Sequence, residues 1–299
     1  MDEASFGGVP NRLDTDMKLT VVTATRNAIT AGCREALVRC VESVAALKTP
    51  HEHLVYDGAS TDGTAELLRQ LEITTSGLTV VSEPDTGIYN ALNKGVRDAK
   101  GEWFYVLGCD DYIAFPETMD ELLAHHDCDE IVTTVVLPRG ERTITLERIF
   151  WSTPYNHQGT IMKTAAVRSF GGFDESYPIC ADFDLMLKFH KAAKRILLSD
   201  ARFAFFGDAG VSSTLLENTR SDHARVAARH YGSSAEKIGK MRLDGCPDLK
   251  IVLPYLFHPD YALHHHARKY LLKNLVWPLV LLRRKIRSGL RLVKHKRLR

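Results

Sequence analysis

Between Leu19 and Leu107 the chain alternates short β-branched or apolar runs with segments whose apolar residues recur at helical spacing. Leu19-Thr20-Val21-Val22-Thr23-Ala24, His53-Leu54-Val55-Tyr56 and Leu78-Thr79-Val80-Val81 read as three strands. Leu37, Val41, Val44 and Leu47 mark an amphipathic helix between the first two. Asp57-Gly58-Ala59-Ser60-Thr61-Asp62-Gly63-Thr64 supplies glycine for a turn and Ser, Thr or Asp to cap a second helix carrying Leu67, Leu68 and Leu71. Ile88, Leu92, Val96 and Ala99 give a third helix, ended by Gly101, and Phe104 to Leu107 form the short apolar run of a central strand. Strands alternating with helices predict parallel βαβ units, hence a nucleotide-binding half of Rossmann type.

Asp110 and Asp111 follow that central strand directly. They stand where the strand leaves the sheet, the edge at which open α/β sheets bind ligands. Adjacent carboxylates repel unless a cation or hydroxyl donors hold them, which points to a divalent metal carrying a phosphorylated substrate. Beyond this point the pattern is less regular. Ile131 to Val136 and Thr143 to Leu146 read as two strands around the turn Pro138-Arg139-Gly140, extending the sheet and shaping an acceptor half. Arg202 to Gly207 reads as a last strand, Gly210-Val211-Ser212-Ser213 as a closing turn, and helices are expected over 216–243.

Charge is unevenly placed. From Tyr261 to Arg299 there are 12 Lys and Arg and no acid, leaving 27 of the 39 basic residues against all 37 acidic ones elsewhere. An acidic body with a basic end implies an anionic partner for that end. Tyr270 to Leu282 is too short and Pro-interrupted to span a bilayer. Trp277, the leucines and the flanking Lys and Arg suit a segment lying on an anionic membrane surface, with packing on the body as the alternative. Nucleic acid is not favoured, because no base-stacking pattern accompanies the basic residues. No 18-residue apolar window occurs, and Met1 to Met17 lacks the apolar core of a signal peptide. The six cysteines include no C-x-x-C pair, and Cys33 and Cys40 are expected on one helical stripe as reduced, buried thiols, as in a cytosolic protein. His264-His265-His266 face different ways on a helix and do not make a zinc site.

Several of these segments form an ordered set. Asp-Gly-x-Ser-x-Asp-Gly-Thr at 57–64, Ser-Glu-Pro-Asp-x-Gly-Ile-Tyr at 82–89, Asn-Lys-Gly at 93–95 and Leu-Gly-Cys-Asp-Asp at 107–111 resemble family 2 glycosyltransferases of the GT-A fold. His157-Gln158, Gly171-Gly172-Phe173-Asp174-Glu175 and Ala181-Asp182-Phe183-Asp184-Leu185 keep the same order and spacing. The resemblance covers roughly 17–215 and is nearest to bacterial O-antigen and exopolysaccharide enzymes. It implies an α/β GT-A domain over 17–215: a Rossmann-like nucleotide-sugar half (17–111) fused to an acceptor half (112–215) around one mixed central sheet. A helical extension over 216–299 would end in the basic, membrane-associating segment, peripheral on the inner face of the cell membrane.

The resemblance also implies roles. Thr23, Thr25, Arg26, Asp57 and Asp85 would hold the base and ribose of a UDP-, GDP- or dTDP-sugar. Asp110 would lie near the ribose, Asp111 would bind Mg²⁺ or Mn²⁺ on the diphosphate, and Lys94 would reach the diphosphate or remain a solvated helix lysine. Asp182 maps to the general base, with a helix cap as the plainer role. His157 and Gln158 would line the acceptor or metal pocket or form a packed polar turn, and Asp184 would be structural or bind acceptor. Cys109 and Ala181 depart from the family pattern, which more often has Ser or Asp and Glu there. The acceptor implied is a glycan on a polyprenyl diphosphate. The chemistry asks for the same groups: charge on the leaving phosphates calls for a metal, and the attacking hydroxyl for a positioned base. A nucleotidyltransferase would instead show a Gly-rich, basic phosphate loop where this chain has Thr23-Ala24-Thr25-Arg26-Asn27. An inactive sugar-nucleotide-binding relative would not need an intact Asp111 and Asp182.

Overall fold

The computed structural model describes residues 17–244 apart from 125–126, 143, 193 and 208–215, together with positions 253 and 268. The first half is regular: β1 (Leu19–Thr25), α1 (Arg34–Ala45), β2 (His51–Asp57), α2 (Thr64–Thr74), β3 (Leu78–Ser82), α3 (Ile88–Asp98) and β4 (Trp103–Val106). Short β5 (Tyr112–Ile113) and α4 (Met119–Leu123) lead into the hairpin of β6 (Glu130–Leu137) and β7 (Gly140–Arg142). Then come β8 (Thr160–Lys163), α5 (Thr164–Ser169), α6 (Ala181–Lys191), β9 (Ile196–Phe205), α7 (Leu216–Tyr231) and α8 (Ala235–Asp244).

Eight strands run in the order β3-β2-β1-β4-β8-β6-β9-β5 within one sheet, with β7 paired on β6. β1 pairs in parallel with both β2 and β4, so the chain reverses its winding direction there. Such a switch point leaves a crevice beyond the carboxyl ends of the two strands. The second half mixes directions: β8 is antiparallel to β4 and β6, whereas β9 runs parallel to β6.

Side-chain alternation explains why both faces are covered. Phe104 and Val106 join the apolar layer under α3, α5 and α6, and Trp103 and Tyr105 join the layer on the opposite face. Val22 and Val21 divide in the same way, as successive residues of a strand must. Within the first layer α5 is tied to the end of α3 by Arg168, which donates from Nε to the Val96 carbonyl (3.0 Å) and from Nη2 to those of Arg97 (3.1 Å) and Ala99 (2.6 Å). It thereby satisfies carbonyls that the end of α3 leaves open.

Two expectations shift, and two others fall outside the described residues. The second strand of the hairpin is Gly140–Arg142, and Leu146 instead opens a 3₁₀ turn through Phe150. The chain turns at Pro138-Arg139 and pairs at once, so the β-branched residues 144–145 fall beyond the ladder. Cys33 precedes α1 as its N-cap and is only partly buried, while Cys40 is buried within the helix; both are free thiols. The closing turn at 210–213 and the basic segment from 261 onward lie outside the described residues, Arg268 apart. Among the described residues no helix is long and apolar enough to cross a membrane.

Candidate active site

Register brings distant segments to one edge. Tyr105 on β4 pairs with Ile161 on β8, so the carboxyl end of β4 meets the amino end of β8. The turn His157–Gly159 therefore stands beside Asp110 and Asp111. β9 runs parallel to β6 and pairs Phe205 with Val136, which carries Phe206 and Gly207 to the same edge. A cleft of about 380 Å³ opens there, lined by Asp110, Asp111, His157, Gln158 and Asp182 among others.

Asp111 is 1% exposed. Its Oδ1 accepts the Gly207 N–H (2.8 Å) and its Oδ2 the Gly108 N–H (3.1 Å). Burial, then the neighbouring Asp110 charge, push its carboxyl up to about 6, against the opposing pull of the Gly207 N–H, His157 and Gln158. Asp110 Oδ2 is buried without a hydrogen-bond partner. Gly207 is required at this spot, because a Cβ there would stand 2.9 Å from both Asp110 O and Asp110 Oδ2. A buried orphan oxygen beside a carboxyl that resists ionisation is what a cation between them would relieve. No group of three or more His, Cys, Asp or Glu able to hold a metal occurs among the described residues. The pair thus fits a cation that takes its other ligands from a diphosphate and water, as Mg²⁺ commonly does. Cys109, between Gly108 and Asp110, is held as a neutral thiol, pushed up to about 12 chiefly by burial.

Asp182 lies in the first turn of α6, where the helix dipole favours an anion. Oδ2 pairs with His157 Nδ1 at 3.2 Å, and Oδ1 accepts the Phe183 N–H (2.8 Å) and Tyr89 O–H (3.3 Å). Burial alone would raise Asp182. The hydrogen bond and charge of His157, aided by His223 and the Phe183 N–H, outweigh it and hold the carboxyl below its ordinary value. Burial alone would likewise lower His157, but Asp182, Asp111 and Asp110 outweigh it and hold the imidazole above its ordinary value. The α6 N-terminus is itself fixed from α7, where Asp222 Oδ2 accepts the N–H groups of Ile179 (3.0 Å) and Cys180 (3.2 Å).

The other candidates are placed differently. Thr23 is fully buried, its hydroxyl 3.0 Å from His53 Nε2 inside the sheet, so its side chain does not reach the cleft. Thr25 is buried at the end of β1. Asp57 is 1% exposed, and its carboxylate accepts from Ser60 N, Ser60 Oγ and Ser82 Oγ, which fixes the turn and turns the group inward. Arg26 and Asp85 meet over Gly58: a Cβ on that glycine would lie 2.5 Å from Asp85 Oδ2 and 3.3 Å from Arg26 Cδ. Lys94 pairs with Glu83 at 2.7 Å and donates to the Pro84 carbonyl. Asp184 faces α7, accepting from His230 (2.6 Å) and pairing with Lys188 (2.8 Å); it is structural and lies outside the cleft lining. Gln158 is largely buried yet lines the same cleft, where it acts on Asp111.

Two sequence motifs prove to be one structural joint. Asn93 Nδ2 donates to Phe173 O (2.9 Å) and Glu175 Oε1 (2.8 Å), and Asn93 Oδ1 accepts the Phe173 N–H (2.9 Å). Tyr89, Gly207, Arg142 and Arg148 reach the site without having been expected there. Tyr89 stands in the Gly-Ile-Tyr motif, which was a signal. For the other three nothing in the sequence marks a role, since only the register of β6, β7 and β9 delivers them.

The sequence model of glycosyl transferase family 2 matches residues 20–173. A PGL/p-HBAD biosynthesis glycosyltransferase of Mycobacterium tuberculosis is 25% identical over 162 residues, 51% of this chain and 63% of that protein. The chain thus spans less than two thirds of that relative. Chondroitin synthase of Pasteurella multocida is 24% identical over 178 residues, 54% of this chain and 18% of the synthase. Among solved structures, S. aureus TarS 1–349 in complex with UDP-GlcNAc superposes with a TM-score of 0.60 at 20% identity, covering 87% of this chain and 72% of TarS. The mannosyltransferase PcManGT of Pyrobaculum calidifontis, in complex with GDP-Man and Mn²⁺, gives 0.55 at 20% identity, covering 93% and 82%.

Proposed function

Since the chain belongs to glycosyl transferase family 2 and is a glycosyltransferase of GT-A fold, we propose that it moves a sugar from a nucleotide-sugar to a glycan hydroxyl, inverting the anomeric carbon. Asp182 is the base. The observation that carries this reading is the joint lining of one cleft by the Asp110–Asp111 pair and by Asp182, itself gripped by His157 and the Phe183 N–H.

Asp182 is held ionised, so it can accept the hydroxyl proton as the acceptor oxygen bonds to the anomeric carbon. The bond from that carbon to the donor's diphosphate breaks, and the nucleoside diphosphate leaves with the electron pair. His157 and the Phe183 N–H fix both carboxylate oxygens, so the base does not have to be ordered during the reaction. Asp110 and Asp111 would hold a divalent cation, Mg²⁺ or Mn²⁺, which would supply neutralisation of the charge gathering on the leaving diphosphate. Arg26 and Asp85, at the carboxyl edge of β1 and β3, are the side chains placed to contact the nucleoside. PcManGT and TarS, which share the fold, were solved with a GDP- and a UDP-sugar respectively, so both nucleotides are candidates. The acceptor is a polyprenyl-diphosphate-linked glycan of a cell-surface polysaccharide, approached with the basic segment from 261 on an anionic membrane.

The test is a panel of UDP-, GDP- and dTDP-sugars, scored for release of nucleoside diphosphate with Mn²⁺ or Mg²⁺ and with EDTA. Release confined to one nucleotide and abolished by EDTA is expected. Release that persists in EDTA overturns the cation's role.

A further inference from the structure

Arg142 and Arg148 both line the cleft. Arg142 ends β7 and is partly buried; Arg148 stands in the 3₁₀ turn Leu146–Phe150 and is exposed. Among the described residues neither guanidinium has an ion-pair or side-chain hydrogen-bond partner. Some other arginines of the body do: Arg97 with Asp98, Arg202 with Glu141, Arg225 with Asp222 and Arg229 with Asp174. Two adjacent cations on a cleft wall repel one another and favour an anion between them. A planar guanidinium pair suits the oxygens of a phosphate in particular.

They share the cleft with the acid pair, but the carboxylate that acts on Arg142 is the base, Asp182. The like charge acting on Arg142 is Arg148; burial is the largest influence, and the net effect is to lower its guanidinium. The charged groups that act on Asp111 are Asp110 and His157. The arginines therefore sit with the base, where the attacking hydroxyl must come. Ser152, Thr153 and Asn156 line the same wall and offer neutral hydrogen-bonding groups of the kind a glycan takes.

We propose that Arg142 and Arg148 form a phosphate-binding site on the acceptor side of the cleft, and that the acceptor carries a phosphate close to the hydroxyl that is glycosylated. This rests on the glycosyltransferase reading above and deepens it. The phosphate orients the acceptor so that its hydroxyl, not water, meets Asp182.

The test is calorimetric titration of inorganic phosphate, and separately of a sugar 1-phosphate, in EDTA so that no cation can bridge phosphate to Asp110 and Asp111. Wild type is expected to bind both, with affinity falling as salt rises. The sugar phosphate should bind at least as tightly as the inorganic ion. Arg142→Gln/Arg148→Gln should weaken both at least ~10-fold, a loss of two charge-assisted contacts, and the double Lys variant should restore part of it. In a second arm, nucleoside diphosphate with Mn²⁺ should bind wild type and the double Gln variant within about 2-fold, since the donor site is separate. Equal phosphate binding by wild type and double Gln variant, or none by wild type, overturns the proposal. So does tighter binding of the inorganic ion, or a parallel loss of nucleotide binding, which would assign the arginines to the donor. Failure of wild type to bind any nucleoside diphosphate would instead contradict the donor site, with the EDTA arm still deciding the phosphate site.

Discussion

Asp111→Asn should trade the cation for a flatter dependence of stability on pH. In the cation-free protein the Asp111 carboxyl is pushed up to about 6 from 3.8 by burial and then by Asp110. A carboxyl with a raised folded value binds its proton more tightly folded than unfolded. Between pH 4 and 6, then, the folded state holds more protons and stability falls as pH rises. The difference of about two pH units, at roughly 1.4 kcal/mol each, makes ionising this group cost about 3 kcal/mol of stability by pH 7. Asparagine removes that dependence, but it can accept only one of the two N–H groups that Asp111 holds, Gly207 at 2.8 Å and Gly108 at 3.1 Å. The orphaned N–H costs about 1–3 kcal/mol, so the two effects nearly cancel at pH 7. The signature is the slope. Denaturant unfolding in EDTA from pH 4.5 to 7.5 should show wild type losing stability relative to the Asn variant by about 2–3 kcal/mol across the range. Adding Mn²⁺ with nucleoside diphosphate should restore wild type at pH 7 and leave the variant unmoved. Parallel pH profiles for the two proteins would refute the strained-carboxyl argument, and equal stabilisation by Mn²⁺ and nucleotide would refute the cation site.

His157→Gln should lower kcat by about 10-fold and shift the acid limb of the rate profile to higher pH, because the burial that raises Asp182 then loses its largest opposing influence. The His157–Asp182 pair is complete above the ordinary Asp value and lost as pH rises through the elevated His157 value. The same variant should therefore cost about 1 kcal/mol near pH 5.5, discounted for partial exposure, and less at pH 8. Arg168→Met uncovers three α3 carbonyls and should destabilise by about 2–4 kcal/mol in denaturant melts, while leaving nucleotide affinity per folded molecule unchanged. For the basic segment, protein ending at Asp260 should fail to sediment with anionic liposomes that pellet the full chain at low salt. Equal pelleting of both would contradict docking through that segment.

The alternation of strands and helices up to Leu107 was legible because each element carries its own periodicity. The acid pair was legible because the strand before it fixes where it emerges. What escaped depends on register and on the far side of each residue. Asp57 reads as a ligand, and the sequence does not show its bonds to Ser60 and Ser82, one of them 25 positions away. Asp184 lies two positions from Asp182, yet a helix turns it toward His230 and Lys188. The Asn93 and Gly171–Glu175 motifs stand far apart in sequence and prove to bond each other. Arg142 and Arg148 carry no local signal at all, since only the course of the folded chain brings them to the cleft wall.

The central claim is that Asp182 takes the proton. Its direct test is kcat alongside donor affinity for Asp182→Asn, with Asp184→Asn in parallel, once the panel has identified the nucleotide-sugar. The account predicts donor affinity within about 2-fold of wild type and kcat reduced by about 10²-fold or more for Asp182→Asn. Asp184→Asn should instead cost stability and leave the kcat of folded enzyme within a few-fold. An Asp182→Asn enzyme that turns over within a few-fold of wild type would contradict the account and place the base elsewhere.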